Sequence, residues 1–309
     1  MPFVKKSFTI VEEIPAFLYL IRTFNMKQGE AQSLISRGRL LIGGESMRDS
    51  SRVIFGEIEL VYFEPKSRGV SPLFRTKDFM LFEKESGVLV HPNTMATEYS
   101  MLDEIRHISG RYANAVHRID METSGLLMAS SHKSAESSLK MLFENRVIKK
   151  SYLAWVDGKI TKEFEVSEPL KVRNDYSQCK HKVEVHPEGK ASLTYFKPIK
   201  YNEDLDATLI ACYPHTGRTH QIRVHLFHVK HPILGDPIYG TSFQASNDYL
   251  EWQLSAENRY ISTGATRLML HAQSLRFHYK SDFYIESRVD FEGMKEEICG
   301  KGKRVFNNN

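Results

Sequence analysis

Leu126-Leu127-Met128-Ala129-Ser130, the run from Ser131 to Asn145, and Tyr152-Leu153-Ala154-Trp155-Val156 decide how this chain is built. The first is a short apolar run of strand length. The second places Leu139, Leu142 and Phe143 at helical spacing behind a serine start and predicts a helix, and the third returns to a strand. Outward from this core, strand-like runs recur at Phe79 to Phe82, Val88 to His91, Leu193 to Ile199, Leu205 to Cys212, Met269 to His271 and Phe283 to Val289. Thr219 to Val229 reads as a second helix. Strands outnumber helices without a repeating βαβ unit, so the expectation is an α+β domain on a largely antiparallel or mixed sheet.

The first 64 residues read as a separate compact unit. Pro15 to Thr23 and Glu30 to Ser36 have helical spacing, Gly38 supplies a stop, and two strands follow at Leu40 to Ile42 and Ile58 to Phe63. Arg37, Arg39, Arg48 and Arg52 bunch there into one expected basic face. Residues 65–72 are polar and bounded by prolines, which is linker chemistry, and the main domain is expected over 73–292. A basic tail, 293–309, is expected to be solvated.

With 309 residues and 41% apolar content, the chain can fill the cores of two domains. Its net charge of +4 permits a nucleic-acid partner without requiring one. Cys179, Cys212 and Cys299 are odd in number and lack C-x-x-C spacing, which argues against a disulfide framework or a cysteine zinc site and for a reducing cytoplasm. The longest apolar run near the N-terminus, Ile14 to Ile21, is too short to cross a bilayer, so a soluble protein is expected, with monomer the default.

Just before the central strand stands His117-Arg118-Ile119-Asp120-Met121-Glu122-Thr123-Ser124-Gly125, a carboxylate between a guanidinium and a glycine-bearing turn. An arginine partner favours the charged form of a carboxylate, which a nucleophile or base requires. An aspartate that only caps its turn fits the same residues. Downstream, His215-Thr216-Gly217-Arg218-Thr219-His220-Gln221-Ile222-Arg223-Val224-His225-Leu226 carries two more arginines, Arg218 at the turn and Arg223 within the expected helix. Arginines at a helix start suit phosphate, and one inside the helix can pair with a carboxylate; a solvated face is the plainer reading. Tyr152, beside Lys149 and Lys150, could stack on a base or serve the core. Asp236, in Gly235-Asp236-Pro237-Ile238-Tyr239-Gly240, could form an acid/base pair with Asp120 but reads better as a turn residue. His225, His228 and His231 have tolerable ligand spacing yet lack an H-E-x-x-H frame, so neither a metal nor another cofactor is expected.

These segments, taken in order, resemble the RluA class of RNA pseudouridine synthases. Lys84-Glu85-Ser86-Gly87-Val88-Leu89-Val90-His91-Pro92 is similar to that family's K-P-x-G-x-x-V-H-P stretch, with Glu85 in place of proline. His117 to Leu126 is similar to its H-R-L-D-x-x-T-S-G-L block, with Ile119 for leucine. Lys150-Ser151-Tyr152-Leu153-Ala154, His215 to Leu226, His231 to Gly240 and Arg267-Leu268-Met269-Leu270-His271-Ala272 match further blocks, so the likeness covers roughly residues 75 to 290. Pro15 to Phe63, centred on Ala31 to Gly38, resembles an S4-like RNA-binding domain of small α/β type. The resemblance implies a pseudouridine synthase fold that isomerises uridines in structured RNA, with large-subunit ribosomal RNA the expected target. It implies Asp120 as the catalytic aspartate, Tyr152 as the tyrosine that stacks on uracil and is placed to exchange its proton, and Arg223 as the cation paired with Asp120. Arg118 and Arg218 would hold RNA, Leu270 would wall the pocket, and Arg37 and Arg39 would serve the S4-like unit. A non-catalytic RNA-binding ribosome-assembly factor and a metal-dependent hydrolase are the competing classes.

Overall fold

The structure, a computed structural model, describes residues 2–175, 180 and 182–304, so Cys179 and the last five residues lie outside it. The N-terminal region forms its own sheet. Strand β1 (Phe3–Pro15) leads into helices α1 (Ala16–Phe24) and α2 (Gln28–Ser36), followed by β2 (Leu40–Ile42), β3 (Glu45–Met47) and β4 (Val53–Phe63). The antiparallel order is β1-β4-β2-β3. Leu20, Ala31, Ile35, Leu40, Ile54, Ile58 and Leu60 are buried together between helices and sheet as a separate core. The long edge strand β1 is absent from the sequence reading because its charged residues, Lys5, Lys6, Glu12 and Glu13, mask the alternation; they face solvent along an edge.

Residues 64–72 form no regular element, but they are held in place. Lys66 N–H donates to Asp103 Oδ1 at 3.0 Å, and Arg68 N–H donates to Glu104 Oε1 at 2.5 Å. The Arg68 guanidinium lies 4.0 Å from the centroid of the Tyr99 ring, whose hydroxyl donates to the same Glu104. Asp103 and Glu104 are fully buried, so the linker backbone supplies the hydrogen bonds that burial of two carboxylates demands.

The main domain runs through β5 (Phe74–Arg75), β6 (Phe79–Lys84), α3 (Met101–Ser109), β7 (Asn114–Ala115), β8 (Ser124–Ser130), α4 (Lys133–Glu144), β9 (Lys149–Asp157), β10 (Phe164–Val166), β11 (Leu170–Val172), β12 (Val183–Val185), β13 (Thr194–Asn202) and β14 (Ala207–Pro214). Helices α5 (Gln221–His228), α6 (Phe243–Leu250) and α7 (Ala256–Thr263) follow, then β15 (Leu270–Tyr279) and β16 (Ser281–Glu286). One ten-stranded sheet carries the order β10-β13-β14-β9-β15-β8-β6-β5, with β16 on β15 and β7 on β8. All its pairings are antiparallel except β15 with β8, which run parallel over His271 to Ser124 and Ala272 to Gly125. The fold is therefore α+β on a mixed, mostly antiparallel sheet.

That short parallel seam joins two half-sheets, each with its own apolar core. Trp155, Phe196, Ile210, Leu226 and Phe291 fill one; Met80, Phe82, Ile105, Leu127 and Ala129 fill another, and Tyr152 packs against both. Gly125 makes the seam possible. Its φ is +103°, and a Cβ there would lie 2.4 Å from the Ala272 carbonyl oxygen.

Several sequence expectations are corrected. Val88 to His91 is loop: the Val88 carbonyl accepts from Lys84 Nζ, and those of Leu89 and Val90 accept from the N–H groups of Met101 and Leu102 at the start of α3, not from a strand. The helix after β8 starts at Lys133, capped by His132, whose Nδ1 accepts from Ala135 N–H at 3.3 Å, so Ser131 is not the cap. The helix expected from Thr219 begins at Gln221, since His220 takes a left-handed φ of 54°. The described part of the tail, 293–304, is docked through Arg304. Ile298 and Cys299 are buried, and the Arg304 guanidinium, 3% exposed, donates to Asp157 Oδ1 at 2.7 Å. No helix among the described residues is long and apolar enough to cross a membrane.

Candidate active site

Asp120 stands on a turn that leads into β8. The turn is closed by the backbone, Thr123 N–H to Asp120 O at 3.1 Å, which leaves the carboxylate unspent. Around it the chain is tied down from below. Lys84, 2% exposed, donates from Nζ to the carbonyls of Glu85 (2.7 Å), Val88 (2.8 Å) and Met121 (2.8 Å). Gly87 N–H donates to Met121 O at 2.9 Å, and Ser86 Oγ donates to Glu122 O at 2.6 Å. Burial pulls the Lys84 ammonium down to about 7, while three carbonyl acceptors match the three N–H bonds of its charged form. The first motif is thus a brace for the second.

The carboxylate itself, 28% exposed, meets α5. Arg223 Nη1 donates to Asp120 Oδ2 at 3.1 Å. The same guanidinium, 4% exposed, donates from Nε and Nη2 to Asp236 Oδ2 and Oδ1 at 2.7 and 2.8 Å, a bidentate pair. Asp236 is fixed in turn by the N–H groups of Ile238 and Tyr239 at 2.9 and 3.0 Å. Burial pulls Arg223 down, but Asp236 and Asp120 outweigh it and hold the guanidinium above its ordinary value. Burial pushes Asp236 up, and Arg223 reverses this and keeps it below the usual carboxylate range. Asp236 is therefore both the turn residue that its glycine-bounded segment suggests and the anchor of Arg223. His220 places Nε2 3.8 Å from Asp120 Oδ2 and Nδ1 2.9 Å from the Tyr239 hydroxyl. Burial, with Arg223 beside it, pulls His220 down to about 4, so it is neutral at neutral pH.

Asp120, Tyr152, Arg223 and Leu270 line one cavity of about 1180 Å³, larger than a small-molecule pocket. Burial, then the nearby Asp120, pushes the Tyr152 phenol above its ordinary value, so it keeps its proton. Arg118 and Arg218 line the same cavity, together with Lys140, Arg146, Lys150 and Lys182. Asp120 and Glu144 are the carboxylates among the lining residues, so the wall is strongly cationic. The Arg218 loop is set by Gln221, whose side chain accepts from Arg218 N–H at 3.0 Å and from Thr216 Oγ1 at 2.6 Å. Arg37 and Arg39 are not among the lining residues; they sit on the N-terminal unit, Arg39 with its guanidinium 4.8 Å from the Phe3 ring centroid.

The histidines disperse into structural work. His225 bonds to Thr194 Oγ1 and Ser192 Oγ, each at 2.9 Å, and His231 Nδ1 donates to Asp157 O at 2.7 Å. His117 Nε2 accepts from Met128 N–H at 2.9 Å, its ring stacked on Phe143. Burial holds His117 down at about 3 and His225 at about 4. Among the described residues no group of three or more His, Cys, Asp or Glu side chains is arranged to hold a metal. Sequence reasoning noted Lys150 only as a cation beside Tyr152, gave Lys84 and His220 no role at this site although both lie within the quoted motifs, and did not single out Lys140 or Lys182, which lie in none of them.

The family model for RNA pseudouridylate synthase matches residues 78–228, which hold Asp120, Tyr152 and Arg223. An uncharacterized RNA pseudouridine synthase of Helicobacter pylori is 36% identical over 285 residues, covering 92% of this chain and 93% of the relative. This chain belongs to the RNA pseudouridine synthases. Within them it falls in the RluA class, being 34% identical over 228 residues to the ribosomal large subunit pseudouridine synthase C of Buchnera aphidicola, 71% of this chain and 67% of the relative. The fold agrees with that of human RNA pseudouridylate synthase domain containing 1, at a TM-score of 0.60 and 23% identity over 77% of this chain and 91% of the other. The protein is therefore an RNA-modifying isomerase, and a purely binding role is the less favoured reading.

Proposed function

We propose that this pseudouridine synthase isomerises uridines of large-subunit ribosomal RNA and that Asp120 is its catalytic residue. The observation that carries the reading is Asp120 itself: a part-exposed carboxylate in a cationic cavity, held by a buried arginine whose other face is spent on Asp236. The reaction breaks the bond between ribose C1′ and N1 of uracil, turns the base, and joins C1′ to C5. N1 gains a proton and C5 loses one, so no redox partner or water is consumed. One carboxylate serves, by attack on the ribose or base or by removal of the ribose 2′ proton.

Arg223, neutralised on one side by Asp236, orients Asp120 and keeps a positive charge beside it. Tyr152 offers a neutral phenol ring against which uracil can stack, and Leu270 closes the wall. Arg118 and Arg218, with the cavity lysines, would hold the phosphates around an extruded nucleotide. The unit from Phe3 to Phe63 would act as the S4-like module, with Arg37 and Arg39 adding phosphate contacts. The name borne by the Buchnera relative supports the ribosomal target. The test is base-resolution mapping of pseudouridine in RNA from cells with and without the gene. Loss of discrete sites in large-subunit ribosomal RNA is expected; losses confined to another RNA would refute the target.

A further inference from the structure

The helical segment between α5 and β15 reaches back to the catalytic turn. Arg259, on α7, donates from Nη2 to Glu122 Oε2 at 2.6 Å and to the Gly235 carbonyl at 3.3 Å. Tyr249, on α6, donates its hydroxyl to Glu122 Oε1 at 2.9 Å. Glu122 is 7% exposed and lies two residues after Asp120; Gly235 is the residue before Asp236. One guanidinium therefore ties together two separate turns, the one that carries Asp120 and the one that carries Asp236.

These contacts close a ring. From Asp120 the chain leads to Glu122, then through Arg259 to Gly235, along the backbone to Asp236, through the bidentate pair to Arg223, and from Nη1 back to Asp120. The ring has further support at Gly235, whose N–H donates to the Thr263 carbonyl at 2.6 Å at the end of α7. Gly235 has φ +76°, and a Cβ there would meet the Arg267 carbonyl oxygen, so that turn packs directly on the backbone that leads into β15. Arg259 thus adds, opposite the Lys84 brace, a second restraint on the turns that carry Asp120 and Asp236.

We propose that Arg259 and Glu122, with Tyr249 in support, are positioning residues that fix the distance between Asp120 and Arg223. They act on the rate of isomerisation and not on the capture of RNA, since neither Arg259, Glu122 nor Tyr249 lines the cavity. The inference rests on the assignment of Asp120 and Arg223 to catalysis. A pair that acts through geometry alone changes turnover without changing the phosphate contacts that set affinity.

The experiment uses the full chain and, as probe, total RNA from cells lacking the gene, with single-turnover pseudouridine formation, RNA retention and thermal unfolding read side by side. Arg259→Met and Glu122→Gln are each expected to slow turnover roughly tenfold, with RNA retention unchanged. The double variant is expected to be no slower than the slower single one, because both remove the same contact. Arg259→Lys should recover part of the rate by restoring the charge pair. If Arg259→Met does not fold, Arg259→Lys and Tyr249→Phe carry the test, each expected to show a smaller rate loss at unchanged retention. Wild-type turnover in these variants, losses that multiply in the double variant, or a rate loss that only follows RNA affinity would each overturn the proposal. An inert wild-type protein would instead count against the isomerase reading, and an unimpaired Asp120→Asn would count against the site.

Discussion

Asp236 is buried to 2% exposure and receives four hydrogen bonds, two from Arg223 and two from backbone. An amide at this position keeps the shape and gives up the charge that balances Arg223 in a dry site. The cost of removing one partner from a buried pair is about 3–5 kcal/mol, shared between folding and the placement of Arg223. Asp236→Asn is therefore expected to lower the Tm and to slow single-turnover isomerisation about 100-fold, with RNA affinity within a few-fold of wild type. Unchanged turnover would show that Arg223 needs no anchor. At this scale the sequence was readable for Asp120 and Arg223 only through their motifs. The turn reading of Asp236 described its backbone contacts, but nothing in the spacing reveals that a carboxylate 13 residues after Arg223 returns to meet it, because the path depends on how α5 lies on the sheet. The place of His220 beside Asp120 was hidden for a similar reason: a left-handed residue at a helix start leaves no pattern in the apolar spacing.

Among elements, the contact of β8 with β15 does the most to build the site. It brings Ser124, which opens β8 four residues after Asp120, beside His271, which follows Leu270 of the cavity wall. The junction holds only where Gly125 lets two backbones approach. A side chain there meets the Ala272 carbonyl and N–H at 2.4 and 2.6 Å in a left-handed conformation, so neither strand can yield without breaking its antiparallel partners. Gly125→Ala is expected to destabilise the protein by more than about 2 kcal/mol, read as a fall in the urea midpoint. A midpoint equal to wild type would mean that the parallel seam is dispensable. The strand–helix–strand run from β8 through α4 to β9 was legible because its apolar positions repeat with the right period. The partner strand of β8 was not, since β15 lies about 145 residues downstream and pairing at that range leaves no local signature. Helix α3 went unread although Met101, Ile105 and Ile108 recur at helical spacing, because Asp103 and Glu104 stand among them; α6 and α7 bury only Ala245, Ser246 and Thr263 and leave no apolar stripe.

Over the whole molecule, the N-terminal sheet and the ten-stranded sheet, which do not share a core, are joined by a segment whose polar, proline-bounded sequence reads as a free linker. Asp103 and Glu104 remove that freedom by holding the linker against α3. Arg106 of α3 also places its guanidinium 5.0 Å from the Phe63 ring centroid at the end of β4, so a cation spans the junction of the two units. The docked tail shows the same limit of charge counting. Lys295, Lys301, Lys303 and Arg304 read as a solvated end, yet Arg304 is buried against Asp157 because the neighbouring Ile298 and Cys299 enter the core. These arrangements surround one part-exposed carboxylate in a cationic cavity, Asp120. The most direct measurement is pseudouridine formation by Asp120→Asn under single turnover, on RNA from cells lacking the gene, with RNA binding followed in parallel. A rate lower by at least about 1000-fold with RNA still bound is expected; pseudouridine formed at the wild-type rate would remove Asp120 from the chemistry.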